Sequence, residues 1–205
     1  MRSKEFDPDL ALGRAMDLFW AKGYEATGIT DLTEHLDIAR ASLYATFGSK
    51  SELYHRALER YCTRQAGPVM AALEAPGPFL PTIHGLLSHL ADVTAGDPER
   101  RGCLVVNATA ERTPADPTTT RQVEAHLRHD HEVLEGALRR AQAHGEVRTD
   151  QSPAAQASFL VATILGIRVL GKARSDLEQL HDVVAVALEG LRSAGHQHVA
   201  VAGRP

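Results

Sequence analysis

Four groups of residues in this chain have types and spacings that could do chemistry. Two Glu-x-x-His units, Glu52 to His55 and Glu178 to His181, have the i, i+3 spacing with which helical bundles present ligands to a pair of iron ions. His126, His129 and His131 surround Asp130, and His126 and Asp130 share a helical face, as two ligands of a metal ion would. Cys103 follows Arg100 and Arg101; a thiol at a helix N-terminus beside cations gains thiolate character and becomes reactive toward oxidants and electrophiles. Finally, Arg40, Tyr44, Thr46 and Lys50 fall close together in a short apolar-backed segment, with Thr27 upstream. Side chains of these types hydrogen-bond to base edges and phosphates.

The first two groups carry little weight. Glu-x-x-His spacing arises easily by chance, and its two occurrences sit on segments with different roles. One helix supplies no closed ligand set, and in a chain with eleven histidines a solvated or pocket-lining role is the expected one. No catalytic residue, metal site or cofactor is therefore expected, and a di-iron bundle enzyme is the weaker alternative.

The elements that must position these residues are helical. The 205-residue chain is 43% hydrophobic, enough for a core. Ala, Leu, Glu and Arg recur at helical spacing and strand-like runs are scarce, so the fold class is all-α with about nine helices. Asp7-Pro8 supplies an N-cap and a first-turn proline, Ala11, Ala15, Leu18 and Phe19 follow, and Gly23 ends the helix. Ile29, Leu32 and Leu36 mark a short second helix; Leu43 and Phe47 anchor a short third. Ser49-Lys50-Ser51-Glu52 reads as a capping box opening a fourth that runs to about Gln65. Gly67-Pro68 and Ala75-Pro76-Gly77-Pro78 punctuate the next stretch. Later helices are expected around Ile83 to Val93, over Arg101 to Arg112, along Val123, Leu127, Leu134 and Leu138, and over Pro153 to Lys172 and Leu177 to Arg192.

Two short helices joined by a tight turn make a helix-turn-helix at about 28–47. Leu43 and Phe47 would point inward, leaving Arg40, Ala41, Tyr44 and Ala45 facing out. Arg40 can take guanine bidentately or bind phosphate; Tyr44 and Lys50 suit phosphate; Thr46 suits either. Thr27 would cap the second helix and offer its hydroxyl to the DNA backbone. The net charge of −4 does not by itself point to nucleic acid, but the local field decides. Arg2 and Lys4 could form a minor-groove arm, although a frayed terminus is the plainer reading.

The run Phe19-Trp20-Ala21-Lys22-Gly23-Tyr24-Glu25-Ala26-Thr27, followed by Leu43-Tyr44-Ala45-Thr46-Phe47-Gly48-Ser49-Lys50-Ser51-Glu52-Leu53, closely resembles the Tet repressor (TetR) family of bacterial regulators. The resemblance implies a homodimer whose third helix enters the major groove of a pseudo-palindromic double-stranded operator, more often as a repressor than an activator. The chain would divide into a DNA-binding domain at 1–50, a helical sensor and dimerisation domain at 51–195, and a mobile tail at 196–205. Two positions depart from the family pattern: Asp37 replaces the usual turn glycine, and Ala39 the serine or threonine that often caps the recognition helix. Asp tolerates left-handed backbone angles, so the turn should survive.

For the sensor half, the segment from Arg101 to Glu111 resembles a subgroup in which a Gly-Cys pair is common, some members of which respond to electrophiles or oxidants. Cys103 is accordingly a candidate switch with Lys172 as a possible neighbour, and equally a small buried hydrophobe. Cys62 reads as incidental, and no disulfide is expected. A small-molecule pocket is the other possibility, with Asn107, Asp130, His131 and Arg168 as polar intrusions in apolar stripes. The last two helices, apolar on more than one face, would supply a dimer interface through Phe159, Ile164, Ile167, Leu180, Val184 and Leu188. The N-terminus lacks the apolar stretch of a signal peptide, and the longest apolar run, Ala157 to Ile167, is short for a bilayer span. A cytoplasmic protein with no membrane helix is expected.

Overall fold

The computed structural model describes residues 6–173 and 176–193, with 65–69 described by backbone alone. Arg2, Lys4 and the tail expected at 196–205 lie outside the described residues. Ten α-helices and one π-helical turn occur among the described residues: α1 (Pro8–Lys22), α2 (Ile29–Leu36), α3 (Arg40–Phe47), α4 (Lys50–Tyr61), the π turn (Cys62–Ala66), α5 (Gly67–Glu74), α6 (Phe79–Ala95), α7 (Leu104–Arg112), α8 (Pro117–Ala143), α9 (Pro153–Ala173) and α10 (Leu177–Leu191). The all-α class is as expected. The helix beyond the expected nine is α5: Gly67-Pro68, which reads from sequence as punctuation, opens a helix, because a first-turn proline lacks only an N–H that would have no intrahelical acceptor there. Helix α7 begins later than expected, at Leu104, because Arg100 and Gly102 adopt φ of 49° and 68° and turn the chain away from helical geometry.

Two compact units divide the backbone: residues 1–68 with 97–126, and 69–96 with 127–205. In the first unit α4 packs along α1, and α7 contacts both. In the first unit Phe19, Leu53, Ala57, Leu58, Leu104 and Ala108 are fully buried. An aromatic cluster joins them: Tyr54 stands edge-on to Phe19 at 5.1 Å and to Tyr24 at 4.9 Å, and Tyr61 edge-on to Trp20 at 5.0 Å. Such pairs add about 0.5–1.5 kcal/mol each beyond their burial. The indole N–H of Trp20 donates to the Gly102 carbonyl at 3.1 Å, and the Arg101 guanidinium lies 4.2 Å from its ring centroid, so α1 holds the loop that leads into α7.

The second unit is a layer of α6, α9 and α10 closed by α5 and the later part of α8. Ile83, Leu87, Leu134, Leu138, Leu160, Ile167, Leu180 and Val184 form its centre. The Glu146 carboxylate accepts from the N–H groups of Phe79 (2.8 Å) and Leu80 (3.4 Å), capping α6 where Pro78 cannot. Helices α6 and α9 cross closely enough that a Cβ at Gly171 would meet Thr94 Cγ2 at 2.3 Å.

The interface residues expected on the last two helices are corrected by this packing. Ile164, Ile167, Leu180, Val184 and Leu188 are buried inside their own chain; of the six, Phe159 alone is exposed. The apolar side chains these helices leave open are Phe159, Val169, Leu170, Leu177 and Val186, the last 71% exposed. By length and composition α9 is apolar enough to cross a membrane, as core helices of soluble proteins also are. Buried Gln156 and Thr163, with Leu160 and Ile167 in the core, set one face of it against its own chain.

Candidate nucleic-acid interface

Helix α2 starts at Gly28, whose N–H donates to the Asp31 carboxylate at 2.7 Å; Asp31 also pairs with Lys22 at 3.0 Å. Helix α2 ends at Asp37 with φ 54° and ψ 45°, and the Ile38 N–H returns to the Thr33 carbonyl at 3.2 Å. Aspartate thus holds the left-handed turn a glycine would make. Ala39 occupies the N-cap of α3 and makes no side-chain cap. Buried Leu32, Leu36, Leu43 and Phe47 lock the two helices to the core. The opposite side of α3 presents Arg40, Ala41, Tyr44 and Ala45, all open to solvent, with Thr46 half-buried. The Arg40 guanidinium lies 5.7 Å from the Tyr44 ring centroid, so the two form one polar, flat-sided patch.

Thr27 is a correction. It is fully buried, its hydroxyl donates to the Gly23 carbonyl at 2.6 Å, and the helix cap is Gly28 instead. Its hydroxyl is therefore turned inward and used. Lys50 follows Ser49, which accepts from the Glu52 N–H at 3.1 Å. Glu52 places its carboxylate against Gly48, whose φ is 78°. The Lys50 ammonium sits 4.1 Å from the Tyr24 ring centroid. Burial lowers its pKa, opposed by the charge of Glu25 and assisted by that of Arg112.

Behind this surface lies a group that the sequence announces only in part. The Arg112 guanidinium packs 3.9 Å from the same Tyr24 centroid and pairs with Asp116 at 3.0 Å and Glu25 at 3.2 Å. Asp116 also meets His55 Nε2 at 2.7 Å and accepts from the Thr119 hydroxyl at 2.8 Å and the Thr118 N–H at 3.0 Å. Burial works to raise the Asp116 carboxyl, but the bonds from His55, Thr119 and Arg112 outweigh it and hold the carboxyl far below the usual carboxylate range. Burial likewise pushes the Tyr54 phenol up. Two signals of this group are present in the sequence: Arg112 and Asp116 are spaced i, i+4, and Asp116-Pro117 repeats the Asp7-Pro8 helix start.

The expected sensor residues divide between the two units. Cys103 and Asn107 belong to the first unit; Asp130, His131, Arg168 and Lys172 belong to the second. Cys103 is buried at the N-cap of α7. The Asn107 amide donates to the Arg101 carbonyl at 3.1 Å, and His131 Nε2 bonds the Ser158 hydroxyl at 3.1 Å, tying α8 to α9. The second unit contains a cavity of about 260 Å³ lined by other residues, among them Leu73, Pro78, Phe79, Arg140, His144 and Glu146. Among the described residues no three His, Cys, Asp or Glu side chains converge as metal ligands, and the two Glu-x-x-His motifs fall in different units, His55 on Asp116 and His181 on Asp92.

The fold and this surface define a helix-turn-helix DNA-binding regulator. The chain belongs to the TetR family: residues 11–57 match the model described as bacterial regulatory proteins, tetR family, and residues 80–189 match the Tetracyclin repressor-like C-terminal domain. It is 35% identical over 192 residues to the uncharacterized HTH-type transcriptional regulator YezE of Bacillus subtilis, covering 93% of this chain and 98% of that one. It is 28% identical over 188 residues to the HTH-type transcriptional repressor ComR of Escherichia coli, covering 91% and 90%. Among solved structures, a cysteine mutant of the TetR family regulator CifR complexed with 26-base-pair operator DNA superposes with a TM-score of 0.82 at 32% identity, covering 93% of this chain and all of that one. The chain is accordingly a transcriptional regulator and not an enzyme.

Proposed function

We propose that this protein is a cytoplasmic homodimeric repressor that reads a pseudo-palindromic operator with α3 and leaves it when a small molecule binds. The observation that carries the reading is the two-sidedness of α3: Leu43 and Phe47 are buried while Arg40, Ala41, Tyr44 and Ala45 stand clear. In this reading residues 1–50 hold the DNA contacts, with Arg40 on a base edge and Tyr44, Thr46 and Lys50 on phosphates; residues 51–195 sense and dimerise. The operator length in the CifR complex, 26 base pairs, is about two and a half helical turns, room for two recognition helices one turn or more apart. The exposed apolar side chains of α9 and α10 supply a self-complementary face for a second copy. Repression is the role that ComR carries in its name.

A ligand favours release only by binding more tightly to one arrangement of the paired recognition helices than to the other. The cavity of about 260 Å³ approaches the lower end of small-molecule sites, about 300 Å³. Release by oxidation at Cys103 would first require its buried thiol to be exposed, so the geometry favours a ligand over an oxidant.

The test is selection of bound DNA from a random pool, followed by binding of variants to the selected site. Arg40→Ala should cost about 1–3 kcal/mol and relax preference at one position, whereas Lys50→Ala should weaken all sequences alike and flatten the salt dependence. Selection of no sequence sinks the operator reading.

A further inference from the structure

We infer that Arg112, on α7 and outside the helix-turn-helix, positions Lys50 for the DNA backbone by way of the Tyr24 ring. The inference rests on the reading of Lys50 as a phosphate contact. An exposed lysine sweeps a wide volume on its four-carbon stem, and ordering it on DNA costs rotamer entropy. Here the ammonium already has a place, 4.1 Å from the Tyr24 centroid, while the Arg112 guanidinium lies 3.9 Å from the same centroid. Aromatic rings attract cations, so the ring restrains Lys50 wherever the ring itself is fixed.

Phe19 and Tyr54 pack on the ring, at 6.2 and 4.9 Å between centroids, and residues at the end of α7 complete the fixing. Arg112 is tethered by Asp116 at 3.0 Å and Glu25 at 3.2 Å. The Tyr24 backbone N–H donates to the neighbouring Glu111 carboxylate at 2.8 Å. The approach is close: Gly23 has φ 84°, and a Cβ there would stand 2.5 Å from Glu111 Oε1. Ring and backbone of the loop that leads into α2 are thus held by two consecutive residues of α7. A ring contact is weaker than an ion pair with phosphate, so it orients the ammonium without retaining it when DNA arrives.

The test measures affinity of the full chain for its selected operator across a salt series, with circular dichroism and thermal unfolding as controls for folding. Lys50→Ala weakens binding and lowers the log–log salt slope by about 0.9 for each phosphate it no longer neutralises. Arg112→Gln is expected to weaken binding about five- to ten-fold, roughly 1 kcal/mol or slightly more, with a similar fall in slope, and the double variant binds no worse than Lys50→Ala alone. Arg112→Lys and Tyr24→Phe, which keep the charge and the ring, retain most of the affinity. Unchanged affinity and slope in Arg112→Gln, or effects that multiply in the double variant, overturn the inference. If Lys50→Ala is itself without effect, the phosphate reading fails first and this one with it. Should Arg112→Gln not fold, Arg112→Met combined with Lys50→Ala completes the same cycle.

Discussion

Asp116 Oδ2 lies 2.7 Å from Nε2 of His55, a residue sixty-one positions earlier in the chain, and the same carboxylate takes Arg112 and Thr119. Its depressed pKa makes a statement about stability. A carboxylate whose folded pKa is lowered contributes stability that is present above its unfolded value, about 3.9, and is lost as pH falls from there toward the folded value. Asp116→Asn should therefore cost about 3 kcal/mol at pH 7, and the gap to wild type should narrow below about pH 4. Denaturant midpoints at pH 7 and pH 3 measure this; a constant gap contradicts it.

The turn of the helix-turn-helix holds a non-glycine residue in left-handed geometry, Asp37 at φ 54°. Ala39→Ser should add about 0.5–2 kcal/mol by supplying the missing N-cap. Thermal midpoints report the change, and an unchanged or lower midpoint for Ala39→Ser contradicts it.

Own-chain core and partner-facing residues on α9 and α10 are separable by experiment. Ile167→Ala should lower unfolding stability by about 2–5 kcal/mol. Phe159→Asp and Val186→Asp should instead shift the chain from dimer to monomer in sedimentation while each subunit still folds. If neither aspartate changes the assembly state, the proposed dimer face is wrong.

How far the sequence is legible depends on the kind of signal each residue sends. The inward positions of Leu43 and Phe47 and the left-handed Asp37 are readable because helical period and turn chemistry are local. Thr27 misleads because a threonine before a helix looks the same whether its hydroxyl caps forward or, as here, bonds back to Gly23. On α9 the buried face of Leu160, Ile164 and Ile167 and the open face of Phe159 and Val169 are both apolar, and periodicity cannot say which one meets the chain's own core. Asp116 reads as loop, although its side chain serves the N–H groups of Thr118 and Thr119 as Asp7 serves Asp9 and Leu10. The contacts of Arg112 with Tyr24 and Glu25 span nearly ninety residues and leave no local trace.

The first compact unit is built from two separate stretches, 1–68 and 97–126, and that bears on how the protein is made. The aromatic side chains of α1 and α4 leave the ribosome well before the helix that covers them. At about 5–20 residues per second, the 34 residues between position 68 and Gly102 take about 2–7 seconds to translate. For that interval the nascent DNA reader has Trp20 without its Gly102 acceptor and Tyr24 without Arg112, which is when a chaperone would find it.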